Sequence, residues 1–411
     1  MSEQNKKKAI IVYGIIVAAM GLSIGLSDNL FANYFRDAFQ VDAVQRGFLE
    51  LPRELPGVLS VIAISGLAFL GDKKLAVIAH LLSFTGIMML AISNPSFNVM
   101  MIWLFIGSFG VHMFIPLYDS IAMSLASDGN YGKALGMFAS VRTGFSMIAG
   151  IMAFLGFRSG FFSFTEPVII NFVIAALMFL GSAILTVYLI KLDDGPRSKD
   201  EIEGNSHFVF KKEYMKFYAL ALLFGGRKQI IFVYGPWVLI ELLNFGADYI
   251  ALMIIIGSAI GIFVVPMVGK WVDKLGTGRV MVVEVLTYLL VYLGYGAISI
   301  GITNGSMVVG TTSVLVFAIV VSMIDRLILN FGMVRSIYVR SIALDEGDVT
   351  PTIAAGLALD HMSSIPLAVL SGWIWWEFGP YWVFVLATIM ALVQLVVAVD
   401  IAKGQKASDN M

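Results

Sequence analysis

Apolar residues dominate this chain in long stretches, separated by short polar turns and by one charged tract, KLDDGPRSKDEIEGNSHFVFKKE. A helix needs about 20 apolar residues to cross a bilayer core. Inside lipid every backbone N–H and C=O must be bonded within its own segment, so stretches of this length are predicted to be helices. The pattern predicts twelve, over 9–35, 44–70, 74–92, 98–125, 132–157, 165–191, 214–243, 247–270, 278–301, 307–343, 350–377 and 380–402. The charged tract follows the sixth. It mixes both signs of charge with Gly, Pro and Ser and reads as a linker. The expected organisation is an N-terminal six-helix bundle over 1–191, a linker over 192–213 and a C-terminal six-helix bundle over 214–411. The fold class is all-α integral membrane, with twelve transmembrane helices in two pseudo-symmetric bundles.

Composition agrees. The 411 residues are 59% hydrophobic and 13% charged, against about a quarter charged in soluble domains. The deficit follows if most of the surface faces lipid. The net charge of −1 points to no acidic or basic partner, and no basic tract offers itself to nucleic acid. Cysteine is absent, which removes disulfides, thiolate nucleophiles and cysteine metal sites. Lys6, Lys7 and Lys8 precede an apolar run too long for a signal sequence and without an A-x-A cleavage site, so the run reads as a retained first helix. With the N-terminus inside, seventeen Lys and Arg fall in inner loops and tails, and only Arg36, Arg46 and Arg158 in outer loops. This asymmetry predicts both termini and the linker on the cytoplasmic side of a cell (inner) membrane.

The turn after the eighth span reads VGKWVDKLGTGRV. Gly269, Asp273, Lys274, Gly276 and Arg279 follow G-x-x-x-D-K-x-G-x-x-R. Gly269 is expected to permit close helix approach. Asp273 sits at a helix end, where it can meet basic groups and a neighbouring helix N-terminus. Gly276 makes the tight turn. This resembles the loop signature of the major facilitator superfamily, which recurs between helices 2–3 and 8–9. The first-half copy, GLAFLGDKKL, keeps Asp72, Lys73 and Lys74 but loses the glycine expected after them. Drug/proton antiporters of that superfamily carry a Gly-Pro-rich motif in helix 5. Here helix 5, GMFASVRTGFSMIAGIMAFLG, has no proline.

Ionisable residues at membrane depth are costly unless they face a cavity or a partner. The chain places Asp28 on helix 1, with Glu50, Arg53 and Glu54 on helix 2. His112 and Asp119 lie on helix 4, and Arg142 on helix 5. Arg227 and Lys228 lie on helix 7, Asp325, Arg326, Arg335 and Arg340 on helix 10, and Asp360 and His361 on helix 11. At a rise of about 1.5 Å per residue, Asp28 is level with Arg53 and Asp119 with Arg142. Arg227, Lys228, Asp325, Arg326, Asp360 and His361 fall near mid-depth. The resemblance implies that helices 1, 2, 4, 5, 7, 8, 10 and 11 line a central cavity, and every one of these groups lies on such a helix. Arg335 and Arg340 are expected to snorkel to the cytoplasmic surface, Glu284 to meet the Asp273–Lys274 loop, and Glu241 to be solvated.

Arg227, Lys228 and Arg326 suit a carboxylate or phosphate, with Arg53 and the ring of Tyr234 as further contacts. Asp325 and Asp360 would neutralise these cations when the pocket is empty. Asp28, Glu54, His112, Asp119, Arg142 and His361 are the candidates for proton coupling. Gly269, Asp273, Lys274, Gly276, Arg279 and Asp72 form the expected gating motif. The same groups have a plainer reading as ion pairs and packed residues that fix one helix on the next. The sequence has no phosphate-binding GxxxxGK[ST] loop, no nucleophile elbow and no His/Asp spacing that suits a metal. It therefore predicts no enzyme, cofactor or metal. Six plus six spans with buried charge is the layout of a secondary transporter. The expected partners are a small polar or anionic organic solute, protons or another coupling ion, and the bilayer, with the chain monomeric. A proton-coupled exporter of amphiphilic or drug-like compounds and a non-transporting membrane sensor or partner subunit are the alternatives.

Overall fold

The computed structural model describes residues 3–125, 131–192, 211–328, 331–344 and 348–409. Among the described residues, fifteen α-helices fall on the twelve expected stretches. They are α1 (Glu3–Leu26), α2 (Phe31–Phe39), α3 (Ala43–Phe48), α4 (Glu50–Gly66), α5 (Asp72–Ile92), α6 (Phe97–Ser124), α7 (Tyr131–Arg158), α8 (Ile170–Lys191), α9 (Met215–Trp237), α10 (Ala247–Leu275), α11 (Thr277–Thr303), α12 (Thr312–Ile328), α13 (Gly332–Ile342), α14 (Val349–Phe378) and α15 (Pro380–Asp409). No strand occurs among the described residues. Among the described residues, eight stretches are long and apolar enough to cross a membrane by length and composition alone. The first and second expected spans are each built from more than one helix.

The interruptions have local causes. The first span breaks at a 3-10 turn over Asp28–Leu30. Just before it the Ser23 hydroxyl donates to Ala19 O at 2.9 Å and Ser27 donates to Ser23 O at 2.7 Å, the back-bonding that bends helices. Asp42 caps α3 by a capping box with Gln45. In α9, Pro236 removes one donor from the ladder, and a π turn over Val238–Leu242 follows. Residues 165–169, expected to be helical, stay outside α8. Pro167 disfavours helix before it, and Ile169 N bonds Ala91 O instead.

The chain forms two compact units. The first comprises Met1–Gln40, Leu51–Asn205 and Ala247–Ile255, the second Val41–Glu50, Ser206–Gly246 and Ile256–Met411. In each, small residues bring helices into close contact, since apolar burial drives little association within lipid. In the first unit α5 meets α6 where a side chain at Gly86 would run into the Trp103 carbonyl, 2.6 Å away. The Asn171 amide donates to Leu26 O at 2.9 Å, and Ser23 donates to Ala175 O at 3.0 Å, joining α8 to α1. In the second unit α3 meets α14 through Gly47 and Gly372, and α11 meets α15 at Gly278.

The two signature turns have one backbone form. Gly71 has φ 81°, ψ 159°, and Gly276 has φ 82°, ψ 158°. The first-half copy therefore does contain its turn glycine. It precedes Asp72, and Ala68 stands where the second copy has Asp273. Asp72 lies past the turn in the first turn of α5, where it accepts a short hydrogen bond from Ser120. The role expected of Gly269 is also corrected: a side chain there would meet nothing within 4 Å among the described residues. Asp273 lies in α10, but its side chain is outside the described residues.

Candidate functional site

Four clusters of polar groups in the second unit bear on the expected site residues. At the first, α9 passes so close to α14 that a side chain on Gly225 would overlap the Asp360 backbone. Three residues on, Lys228 reaches across to Asp360, with Nζ 2.8 Å from Oδ1 and 3.0 Å from Oδ2. Ser364 donates to Asp360 O at 2.8 Å and holds that part of α14. The pair is not sealed: the side chains are 19% and 11% exposed. His361 follows Asp360 and is half-buried. A paired ammonium and carboxylate with a route to water can exchange partners.

The second cluster is sealed at Arg227 and Glu284, with Arg335 at its edge. Arg227 is fully buried, donates to Tyr292 Oη at 3.2 Å and lies 3.7 Å from Glu284 Oε1. Its guanidinium also stands 3.7 Å from the centre of the Tyr288 ring. Arg335 of α13 donates to the same Glu284 oxygen at 2.9 Å and sits 3.4 Å over Phe224. Two arginines thus share one carboxylate, and aromatic faces supply the rest of the counter-field. The expectations for Glu284 and Arg335 are overturned. Glu284 is 1% exposed and turned inward, and Arg335, 12% exposed, pairs with it rather than snorkelling. Arg340 and Glu241 are exposed.

The third cluster lies on α12. Asp325 Oδ1 is enclosed without a hydrogen-bond partner among the described residues. The stem of Arg326 packs over Gly257, where an added Cβ would lie 2.9 Å away. No hydrogen bond or ion pair among the described residues joins Asp325 or Arg326 to Lys228 or Asp360.

The fourth cluster went unrecognised in the sequence. Arg46 and Glu50, one helical turn apart, pair at 2.5 Å, and Gln229 of α9 donates to the other Glu50 oxygen at 2.6 Å. All three are at most 2% exposed. Beside them Tyr234 is fully buried, its hydroxyl 2.8 Å from Ala368 O and 3.2 Å from Ala43 O, so it fastens α3 to α14. The S/T/D/N-x-x-Q cap at Asp42–Gln45 was the available signal that a helix starts here, turning Arg46 and Glu50 onto one face.

In the first unit Arg53 pairs with Asp28 at 3.1 Å and lies 5.7 Å from the centre of the Phe31 ring. Ser108 donates to Arg53 O at 2.7 Å, and His112 Nδ1 is 2.9 Å from Ser108 O. Glu54 is half-buried. Arg142 stands 5.0 Å from the Tyr118 ring centre, and among the described residues no ion pair joins it to Asp119, which is exposed. His80 on α5 is a further group missed in the sequence: it is fully buried against Phe114, with neither ring nitrogen hydrogen-bonded among the described residues.

A family model described as Major Facilitator Superfamily matches residues 13–343. Among solved structures, the nucleoside transporter NupG is 15% identical, covering 95% of this chain and 98% of its own, with a TM-score of 0.72. A POT family transporter in complex with 5-aminolevulinic acid is 13% identical over 96% of this chain and 95% of its own, with a TM-score of 0.72. A D-xylose-proton symporter is 15% identical over 94% and 96%, with a TM-score of 0.64. These similarities establish the fold. No curated protein sequence matches the chain.

Proposed function

The chain belongs to the major facilitator superfamily, and on that premise we propose that it moves a small polar or anionic organic solute by alternating access coupled to protons. Secondary transport across a membrane is what the family and the fold share. The solute class rests on one observation: the Lys228–Asp360 pair, partly open to water beside the sealed Arg227 network.

In this reading Asp360 is the counter-ion of Lys228 while the site is empty. A solute carboxylate or phosphate takes its place on the ammonium. Asp360, released from the ammonium, is then the proposed carrier of the coupled proton. Solute binding and proton uptake are thereby linked at one residue. Arg227, Asp325, Arg326, Arg53 and Tyr234 complete the proposed solute-binding set. Asp28, Glu54, His112, Asp119, Arg142 and His361 form the proposed proton path. Gly269, Asp273, Lys274, Gly276, Arg279 and Asp72 form the proposed gate, with 1–191 and 214–411 as bundles joined by 192–213. The excess of Lys and Arg in alternate loops supports an inner-membrane location with both termini cytoplasmic. We assign the monomer as the working unit.

A thermal-shift screen of the purified protein in detergent tests the solute class. Carboxylates, sugars, amino acids, nucleosides and lipophilic cations would be compared, since a ligand of the folded state raises its melting temperature. Stabilisation by an anionic solute, lost in Lys228→Gln, is expected. Stabilisation by lipophilic cations alone would move the assignment to an exporter.

A further inference from the structure

Lys216 at the start of α9 and Arg279 just past the α10–α11 turn line one cavity of about 480 Å³. Tyr338 of α13 and Asp400 and Gln405 of α15 complete its polar wall. Lys216 and Arg279 lie in the first turns of α9 and α11, and Gln405 near the end of α15. Asp400 is committed to Lys216 at 2.6 Å, and Lys403 also acts on it. Arg279 is exposed and makes no ion pair among the described residues. Among the described residues no carboxylate offsets that guanidinium. Gln405 is committed as well: its Oε1 accepts from Gly278 N at 2.8 Å and its Nε2 donates to Thr277 Oγ1 at 2.5 Å, closing off the start of α11. Tyr338 is different. It is 5% exposed and lines the cavity, yet its hydroxyl makes no hydrogen bond among the described residues.

A free guanidinium fork and an unused phenol donor beside a net positive wall call for an anion with several acceptor oxygens. Basic pockets between spanning helices take lipid head groups. We propose that this cavity binds a phosphate group, from an anionic phospholipid headgroup or from free phosphate, held by the Arg279 fork with Tyr338 as second donor. Occupancy would tie the α10–α11 turn to α13 and α15. The inference does not depend on the solute assignment, because neither Lys228 nor Asp360 takes part.

The test uses the full-length protein in detergent, with melting temperature followed against short-chain phosphatidylglycerol, phosphatidylcholine of equal chain length, and inorganic phosphate. Phosphatidylglycerol is expected to stabilise in proportion to its concentration and phosphatidylcholine not to. Arg279→Gln should weaken that effect about tenfold, the loss of one charge-assisted contact. Tyr338→Phe should weaken it less, and Arg158→Gln, in the other unit, not at all. Stabilisation by inorganic phosphate with the same dependence on Arg279 would support the site with free phosphate as its occupant. If neither form of phosphate stabilises the protein, or if Arg279→Gln and Tyr338→Phe respond as wild type does, the proposal fails. Should Arg279→Gln not fold, Tyr338→Phe decides alone.

Discussion

Glu284 on α11 accepts a hydrogen bond from Arg335 on α13 at 2.9 Å, at a point where the carboxylate is 1% exposed and the guanidinium 12%. The same oxygen lies 3.7 Å from fully buried Arg227 on α9. One carboxylate thus holds three helices, and the two cations depend on it unequally. Arg335 keeps a route to water, whereas Arg227 has none.

Glu284→Gln leaves both arginines without a counter-charge. Removing one partner of a buried pair costs about 3–5 kcal/mol, so this variant should show a large fall in melting temperature or fail to leave the membrane folded. Arg335→Gln should cost less, because Glu284 keeps Arg227. Size-exclusion profiles and thermal unfolding in detergent check the order. Equal stability of wild type and Glu284→Gln would refute the account of this cluster.

Gly225→Ala tests the crossing that brings Lys228 to Asp360. The added Cβ would overlap the Asp360 backbone, and it would lie 2.5 Å from Ser363 Oγ. Overpacking of this kind costs about 1–3 kcal/mol. The expected result is lower thermal stability together with loss of solute binding. Gly14→Ala, where nothing lies within 4 Å, serves as the control and should change neither.

The helical stretches were legible because lipid imposes length and apolarity on any crossing helix, whatever its neighbours. Helix breaks were less so. They arise from back-bonding at Ser23 and Ser27, from the ring of Pro236 and from the dihedral angles of Gly71 and Gly276, which leave no trace in hydropathy. Depth placed Lys228 and Asp360 at one level. It could not say which of the neighbours Arg227 and Lys228 faces α14, because successive residues point about 100° apart around a helix. The structure turns Lys228 to Asp360 and Arg227 to Glu284. Glu284 was misplaced for the same reason: its partners come from two other helices, and no spacing in one sequence records that meeting. Gly71 was overlooked because the copy was aligned on Asp72 rather than on the turn.

The matching dihedral angles of Gly71 and Gly276 give a further prediction. Their conformation is one that only glycine adopts readily, and a side chain there costs about 1–3 kcal/mol. Gly71→Ala and Gly276→Ala should each lower the melting temperature. Gly276→Ala should lower it more, because its Cβ would also press on Gln405 Oε1 at 3.3 Å. An unchanged melting temperature in both would contradict the assignment of these residues as the strained points of the two turns.

Outside the spans, Asp348 accepts hydrogen bonds from Lys211 Nζ at 2.5 Å and from Tyr214 Oη at 2.6 Å. The Lys211 contact, then the Tyr214 contact, hold its carboxyl below the usual carboxylate range. A carboxyl depressed in the folded state contributes stability above its unfolded pKa, about 3.9, and loses it as pH falls through the lower folded value. Melting temperature followed downward from neutral pH should therefore fall less below about pH 4 in Asp348→Asn than in wild type. Parallel curves would remove Asp348 from the acid response.

The central claim is that Lys228 and Asp360 exchange partners with solute and proton. It is tested most directly in proteoliposomes, with the solute that best stabilises the protein and an imposed pH gradient. Gradient-driven accumulation and solute counterflow would be measured in wild type, Asp360→Asn and Lys228→Gln. The account predicts accumulation in wild type, counterflow without accumulation in Asp360→Asn, and neither in Lys228→Gln. Accumulation at wild-type rates in both variants would contradict it.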